Sequence, residues 1–340
     1  FTMCVLSKKE PQQEKITELT TGEIEYINEV GRRTWCYFKD NLNSKGHFLP
    51  PDNFQEDRKP QIVMRTSPTN IGLGILSVIS SYDLKYENLD DTINLLYKML
   101  EAIQNLQKWN GHLYNWYNIE TLEPLIPRYI SSVDSGNFVG YMYVLKTFLN
   151  NIKETLKKDK SEYQEKIEPK NKVSLMLEIT TQIINSTDFS KLYNEKNRLF
   201  SVGFNLEEGK LTDSYYDLLA SEARQTSLVA IAKKDIEQKH WYNLSRTLTV
   251  LNKYKGLISW SGTAFEYLMP NINIPKYPGS LLDESCKFLI MSQKEYNKKL
   301  KIPWGISESA FNLKDLNNNY QYKAFGIPWL GLKRGLADEI

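Results

Sequence analysis

The sequence predicts an all-α protein in which paired helices stand in a ring and their connecting loops gather at one end as a cleft. Three observations carry that expectation: some nine or ten stretches have helical periodicity, the loops between them are long and rich in aromatics and proline, and strand signal is thin throughout. In chain order, Thr20 or Thr21 can cap a helix over 22–41 whose stripe is Glu23, Ile24, Ile27, Val30, Trp35 and Phe38. The loop over 45–70 that follows carries its own aromatics among Pro, Asn and Asp, the marks of a functional loop. Pro68 suits a first helical turn, capped by Ser67 and running to about 82, and Asp90 opens a helix to 109. A second aromatic, proline-bearing loop over 111–137 ends in Asp134 and Ser135, just before a long helix over 138–158. The Lys/Glu-rich stretch 153–172 reads as a solvated helix end and loop. Then come a helix over 173–186, the strand-like FSVGFN, a helix over 214–232, another from His240 and Trp241 to 254, a short one in SGTAFEYLMP, one capped by Asp283 to 300, and the structured loop PWGISESAFN.

The chain of 340 residues is 41% hydrophobic and 25% charged, enough to bury one large core or two smaller ones. Net charge is +2 from 43 basic and 41 acidic residues, so no global field attracts nucleic acid or an anionic membrane, and neutral substrates stay open. Cys4, Cys36 and Cys286 are far apart, odd in number and without histidines at metal spacing, so reduced structural thiols are expected and no metal. No phosphate-binding glycine loop follows a strand, which leaves nucleotide cofactors without support. No 18-residue apolar run exists and the start lacks the pattern of a signal peptide, so neither a membrane span nor an export address is expected. Twenty-one tyrosines and seven tryptophans suit stacking on sugar rings, with Tyr, Asn, Gln and Arg bonding sugar hydroxyls.

One position stands out chemically. In SYYDLLASEARQTSLVAIA, Leu218, Leu219, Ala223, Leu228 and Ile231 mark a helical apolar face, and Glu222 falls on the same side. A buried carboxylate calls for a basic partner or a chemical use. A core Glu bonded to a backbone group or to a distant Arg or Tyr would satisfy the same pattern.

Seven collinear stretches, RTSPTNIGLGILS, GHLYNWYNIETLEPL, YISSVDSGN, FSVGFNLEEGKLTDSYYDLLASEAR, ISWSGTAFEYLMP, PWGISESAFN and YQYKAFGIPWLGLKRGLADE, together resemble the cyclisation domain of cyclic β-1,2-glucan synthases. The resemblance covers nearly the whole chain from about Trp35. It implies an (α/α)6 toroid that closes a linear β-1,2-glucan into a ring by transglycosylation with retained anomeric configuration. It also implies a parent with a membrane-embedded glycosyltransferase and a phosphorylase-like domain, placed in the cytoplasm at the inner membrane, where free cysteines fit. The whole chain is expected to be one such domain, its first 20 or so residues linker-like. A toroid has twelve helices, so the closing helices are expected either after residue 340 or from a partner chain or domain.

Retention needs two carboxyls about 5 Å apart, one ionised and one protonated. Glu222, among Leu218, Leu219 and Ala223, is in the setting that would keep a proton and is expected to act as general acid/base. Glu308, between Ser307 and Ser309, is expected to be the nucleophile. The resemblance places both in matching motifs, SEAR and SESA. Substrate contacts are expected from Arg65 and Asn70; from Tyr114, Asn115, Trp116 and Tyr117; from Asp134, Tyr215, Tyr216 and Asp217; and from Trp260, Trp304, Tyr320, Gln321, Tyr322 and Lys323. Glu266 is a further candidate, to bind a sugar hydroxyl or to tune the pair by like charge. Asp283 is expected among the substrate contacts too, with helix capping the competing reading for both Asp134 and Asp283. His112 reads as a loop hydrogen-bonder. With a more open acceptor site the same carboxyls would make an endo-β-1,2-glucanase, and a non-catalytic glucan-holding module is the reading from a different class.

Overall fold

The computed structural model describes residues 18–158, 167–252, 254–316 and 318–332. The readings of Cys4, of 159–166 in the polar segment and of the closing GLADEI lie outside the described residues. The described chain forms two compact units: a smaller one of residues 18–33, 246–308 and 324–332, and a larger one of 34–245 and 309–323.

Helix α1 (Thr21–Asn41) starts at a capping box in which the Thr20 hydroxyl and amide donate to Glu23 at 2.8 Å and the hydroxyl accepts the Glu23 amide at 3.3 Å. Its expected stripe is a correction: Ile24, Ile27 and Val30 are about half exposed, and Trp35 is the buried residue of the helix. Periodicity identifies a face and says nothing about what stands against it.

In the larger unit, α2 (Pro68–Asp83) is capped by Ser67, whose Oγ accepts the Asn70 amide at 3.1 Å. Helix α3 (Leu89–Asn105) is capped by Asn88, two residues ahead of the expected Asp90, and ends before 109 because Lys108–Trp109 pairs with His112–Leu113 as a hairpin. Helix α4 (Ser132–Lys158) begins six residues earlier than expected, which puts Asp134 in its first turn. Helices α5 (Ile167–Ser186) and α6 (Arg224–Lys233) follow, with the single turn α7 (Lys239–Asn243). Helix α4 is the hub, since α2, α5 and α6 all pack on it. Two glycines permit this. A Cβ at Gly72 of α2 would collide with the Tyr141 ring of α4, and one at Gly136 of α4 would collide with Thr226 of α6. The core runs through Ile71, Ile75, Leu96, Met99, Val139, Met142, Leu145, Met176, Phe189 and Phe200.

The thin strand signal is corrected as well. Loops are tied by antiparallel ladders too short to show as patterns: Arg65–Thr66 with Tyr117–Asn118, Gly203–Asn205 between Tyr129–Ser131 and Lys210–Leu211, and Leu199–Ser201 between Tyr193–Asn194 and Tyr215–Tyr216. A last hairpin, Ser309–Lys314 with Tyr320–Lys323, is held to Asp57, which accepts from Lys314 Nζ and, at 2.7 Å, from the Tyr320 hydroxyl.

In the smaller unit the helix expected to run to 254 is instead a hairpin, Leu248–Leu251 with Tyr254–Leu257, turning where Asn252 takes a φ of 55°. Thr249 and Val250 favour strand, and Asn tolerates the left-handed turn. The hairpin packs on α9 (Leu281–Leu300), preceded by the short α8 (Ala264–Leu268). Ser280, three residues before the expected Asp283, caps α9. Leu257, Tyr267, Phe288 and Leu289 fill this unit's interior with Ile327 and Leu330. No helix among the described residues is long and apolar enough to cross a membrane.

Candidate active site

The larger unit gathers sugar-type side chains around Asp134. Thr69 donates to its Oδ1 at 2.6 Å, and Asn115, its amide turned to satisfy both neighbours, donates to Oδ2 at 3.1 Å while accepting from Trp116 Nε1 at 3.2 Å. The Arg65 guanidinium lies 4.3 Å over the Trp116 ring and donates to Asp52 Oδ2 at 2.9 and 3.1 Å; Asn70 donates to Asp52 Oδ1 at 3.1 Å. Arg65, Asn70, Asn115, Trp116 and Asp134 are therefore brought together as expected sites of one cluster. Asp134 as a residue is partly exposed, but its carboxyl group is turned inward, and burial pushes its pKa up against the lowering bonds from Thr69 and Ser131.

Glu222, just ahead of α6, is positioned by the docking of α6 on α4. Thr226 Oγ1 donates to Ser132 O at 3.0 Å and Gln225 Nε2 to Asn137 O at 3.5 Å, a contact that Gly136 leaves room for. The carboxylates of Glu222 and Asp134 both act on Tyr141, whose phenol is pushed up first by burial and then by these two charges. Glu222 itself is not on a helical face. It sits in the turn two residues before α6, half-buried, while Leu228 of the expected stripe is 41% exposed. The stretch before it is strand and turn because Tyr215 and Tyr216 pair with Ser201 and Phe200, and Leu218 bridges to Ser245. Leu218, Leu219 and Ala223 are buried as expected.

Glu308 belongs to the smaller unit, at the end of a tightly held loop. Gln293 of α9 accepts the Ile306 amide at 2.7 Å and the Gly305 amide at 3.2 Å and donates to Ile306 O at 2.6 Å. Ser307 Oγ accepts the Phe265 amide at 3.1 Å, so Glu308 is half-buried beside the start of α8. There the Thr263 hydroxyl is 3.3 Å from Glu308 Oε1 and 3.2 Å from Glu266 Oε2.

Several expected contacts are corrected. Tyr117 is fully buried with its hydroxyl donating to Gln107 O at 2.6 Å, and Tyr114 is 4% exposed, so both are core side chains. Glu266 is 6% exposed and accepts from Ser259 Oγ at 2.8 Å and the amides of Trp260, Ser261 and Thr263 at 3.0 to 3.3 Å. That is a loop brace. Its pKa is pushed up, first by burial and also by Glu308, against those bonds. Asp283 is 2% exposed and accepts the Gly279 amide at 2.9 Å between Lys276 and Lys287, the helix-start alternative. Its pKa is held down by that amide and the two lysines in spite of burial.

Tyr215 and Tyr216 are half-buried, Tyr215 accepting from Asn194 at 3.1 Å, and Asp217 holds one carboxylate oxygen inside without a donor among the described residues. Trp260 is half-buried in the loop that Glu266 braces, and Trp304 is 55% exposed under Lys294. Tyr320, Gln321, Tyr322 and Lys323 lie on the hairpin tied to Asp57, with Lys323 Nζ 4.8 Å over Phe311. His112 is the buried hydrogen-bonder expected, joined to Ser135 Oγ and Asp188 O at 2.9 and 2.8 Å. The reading of the residues missed Asp52, Thr69 and Thr263, all inside stretches it had singled out, and Tyr141, which looks like any core aromatic.

No protein-family model matches the chain. It is 33% identical, over an alignment of 422 residues, to the cyclic β-(1,2)-glucan synthase NdvB of Rhizobium meliloti (strain 1021). That alignment takes in 92% of this chain and 15% of the relative, so the chain spans a small part of that protein's length. The similarity suggested by the motifs is thereby borne out. Among solved structures, an endo-β-1,2-glucanase from Chitinophaga pinensis, in complex with sophorotriose and glucose, superposes with a TM-score of 0.69 at 11% identity, over 93% of this chain and 76% of its own. A protein from Bacteroides fragilis described as a glucoamylase gives 0.67 at 14% identity, over 93% and 75%. A mutant endo-β-1,2-glucanase from Talaromyces funiculosus, in complex with β-1,2-glucan, gives 0.64 at 10% identity, over 91% and 72%. At these identities the likeness is one of fold.

Proposed function

We propose that this chain, which matches one segment of a cyclic β-1,2-glucan synthase over nine-tenths of its length, is a retaining transglycosylase that closes linear β-1,2-glucan into rings. Its helices would belong to an (α/α)6 toroid, and its working context would be a longer synthase with glycosyltransferase and phosphorylase-like domains at the cytoplasmic side of the inner membrane. The observation that carries the reading is that the half-buried Glu222 and Asp134 both act on the buried phenol of Tyr141, Asp134 being bonded in turn to the Asn115–Trp116 side of the Arg65 cluster.

In this reading Glu308 attacks the anomeric carbon. The Glu308 Oε–carbon bond forms as the glycosidic carbon–oxygen bond breaks, and the leaving oxygen takes the proton of Glu222. Glu222, now a carboxylate, then removes the proton of an incoming 2-hydroxyl at the other end of the same glucan. That oxygen bonds to the anomeric carbon, and Glu308 leaves as a carboxylate. Arg65, Asn115 and Trp116 offer donors and a flat face to sugar rings, and the inward oxygen of Asp217 can accept a sugar hydroxyl. Asp134 would orient this set from within.

Glu222→Gln and Glu308→Gln, each measured on linear β-1,2-glucan, are expected to lower kcat by about 10³-fold while glucan affinity by calorimetry is kept. Turnover at native rate in both variants would overturn their assignment as the catalytic pair.

A further inference from the structure

The hydroxyl of Thr263 has one proton to donate and stands before two carboxylates, Glu266 Oε2 at 3.2 Å and Glu308 Oε1 at 3.3 Å. Its lone pair is engaged by the Glu266 amide at 3.4 Å, and the side chain is fully buried within the capping box of α8, so its place is fixed. Glu266 does not depend on that proton. Ser259 Oγ and the amides of Trp260, Ser261 and Thr263 already donate to it. A hydrogen bond to an ionised group is stronger than one to a neutral group, so the proton turns to whichever carboxylate gains most from it.

We propose that Thr263 is a positioning residue for Glu308, donating its hydroxyl proton to Glu308 when that carboxylate is ionised and turning to Glu266 when it is not. The proposal rests on the reading of Glu308 as nucleophile. Glu266 is the charged group set against this hydroxyl from α8, and Glu308 opposes its ionisation. From α9 the loop receives the neutral Gln293, and from its own sequence the neutral Ser307. One shared proton offsets part of the repulsion and aims the Glu308 oxygen. When that oxygen bonds to the anomeric carbon, and the leaving oxygen takes its proton from Glu222, the charge on Glu308 is consumed and the hydroxyl is released to Glu266.

The test compares native protein with Thr263→Val, which keeps the shape and removes the hydroxyl, and Thr263→Ser, which keeps the hydroxyl. On linear β-1,2-glucan the valine variant is expected to lower kcat about tenfold with KM unchanged and to move the acid limb of kcat to higher pH by about one unit, in line with a lost charged hydrogen bond. The serine variant restores both. Independently of turnover, the ¹³C signal of the Glu308 carboxyl carbon, identified by its loss in Glu308→Gln, should titrate at higher pH in the valine variant and at lower pH in Glu266→Gln. A native chain that turns over no glucan would sink the proposed activity, and the carbon titration would still decide the role of Thr263. If Thr263→Val lowers the melting temperature and leaves the acid limb and the Glu308 titration unmoved, Thr263 is a helix cap alone and the proposal is overturned. Should the valine variant fail to fold, an unmoved Glu308 signal in Glu266→Gln overturns it equally.

Discussion

His112 shows how this chain uses an ionisable side chain as structure. Both ring nitrogens are occupied, by Ser135 and by the Asp188 carbonyl, and burial lowers its pKa to about 4, with Lys233 adding to the effect and Asp188 opposing it. The folded protein therefore binds this proton less readily than the unfolded chain, whose histidine titrates near 6.5. The stability it contributes is full above 6.5 and is lost as pH falls from there to about 4. Between pH 7 and pH 4, urea unfolding of the native protein is expected to lose about 3 kcal/mol more than that of His112→Gln. Equal losses would mean that His112 is charged in the folded state. Asp134 is perturbed in the other direction, as a carboxyl group drawn inward should be. Its neighbours Thr69 and Asn115 offer hydrogen bonds and no charge, and those bonds offset the burial only in part.

At the scale of elements, the α4–α6 crossing sets where Glu222, just ahead of α6, stands relative to Tyr141 of α4. Gly136 faces both the hydroxyl and the Cα of Thr226, so an added methyl has no flexible side chain to displace. Gly136→Ala is expected to destabilise the protein by about 2–3 kcal/mol in urea unfolding and to lower turnover. Adding Thr226→Ser should not rescue it, because the Thr226 backbone is also in the way; full rescue would show that the crossing is not backbone-limited. The same crossing explains what could and could not be read from the residues. Ser67–Pro68 announced α2 because a cap and a first-turn proline act within four residues. The start of α6 was not legible. Leu218, Leu219, Leu228 and Ile231 imitate a helical stripe, whereas the local course of Tyr215 to Leu218 is set by pairing with Phe200, Ser201 and Ser245, which are distant in sequence or in another element. The hairpin over 248–257 was misread for a related reason: its strands are four residues long, and their partner is each other across a turn. Within the candidate site, Arg65, Asn70, Asn115, Trp116 and Asp134 were legible because polar and aromatic residues concentrate in long loops. Asp52 and Thr263 were not, since nothing in the residue types tells which side chain a loop will fold back on.

For the whole molecule, net charge of +2 is what a protein acting on a neutral polymer can tolerate, because capture depends on stacking and hydrogen bonds and not on a field. Each unit has its own interior: one built on α4, the other on the 248–257 hairpin against α9. Glu222 and Glu308 come one from each. The direct measurement is to incubate the chain with linear β-1,2-glucan, count reducing ends against total sugar over time, and challenge the products with an exo-acting β-glucosidase. Cyclisation predicts a constant number of reducing ends, because the leaving fragment keeps the one the chain began with, and products that resist the β-glucosidase, with the resistant products absent in Glu222→Gln and Glu308→Gln. A rise in reducing ends with digestible products would contradict it and mark the chain as a hydrolase, and an unaltered, fully digestible glucan would leave it a glucan-holding module.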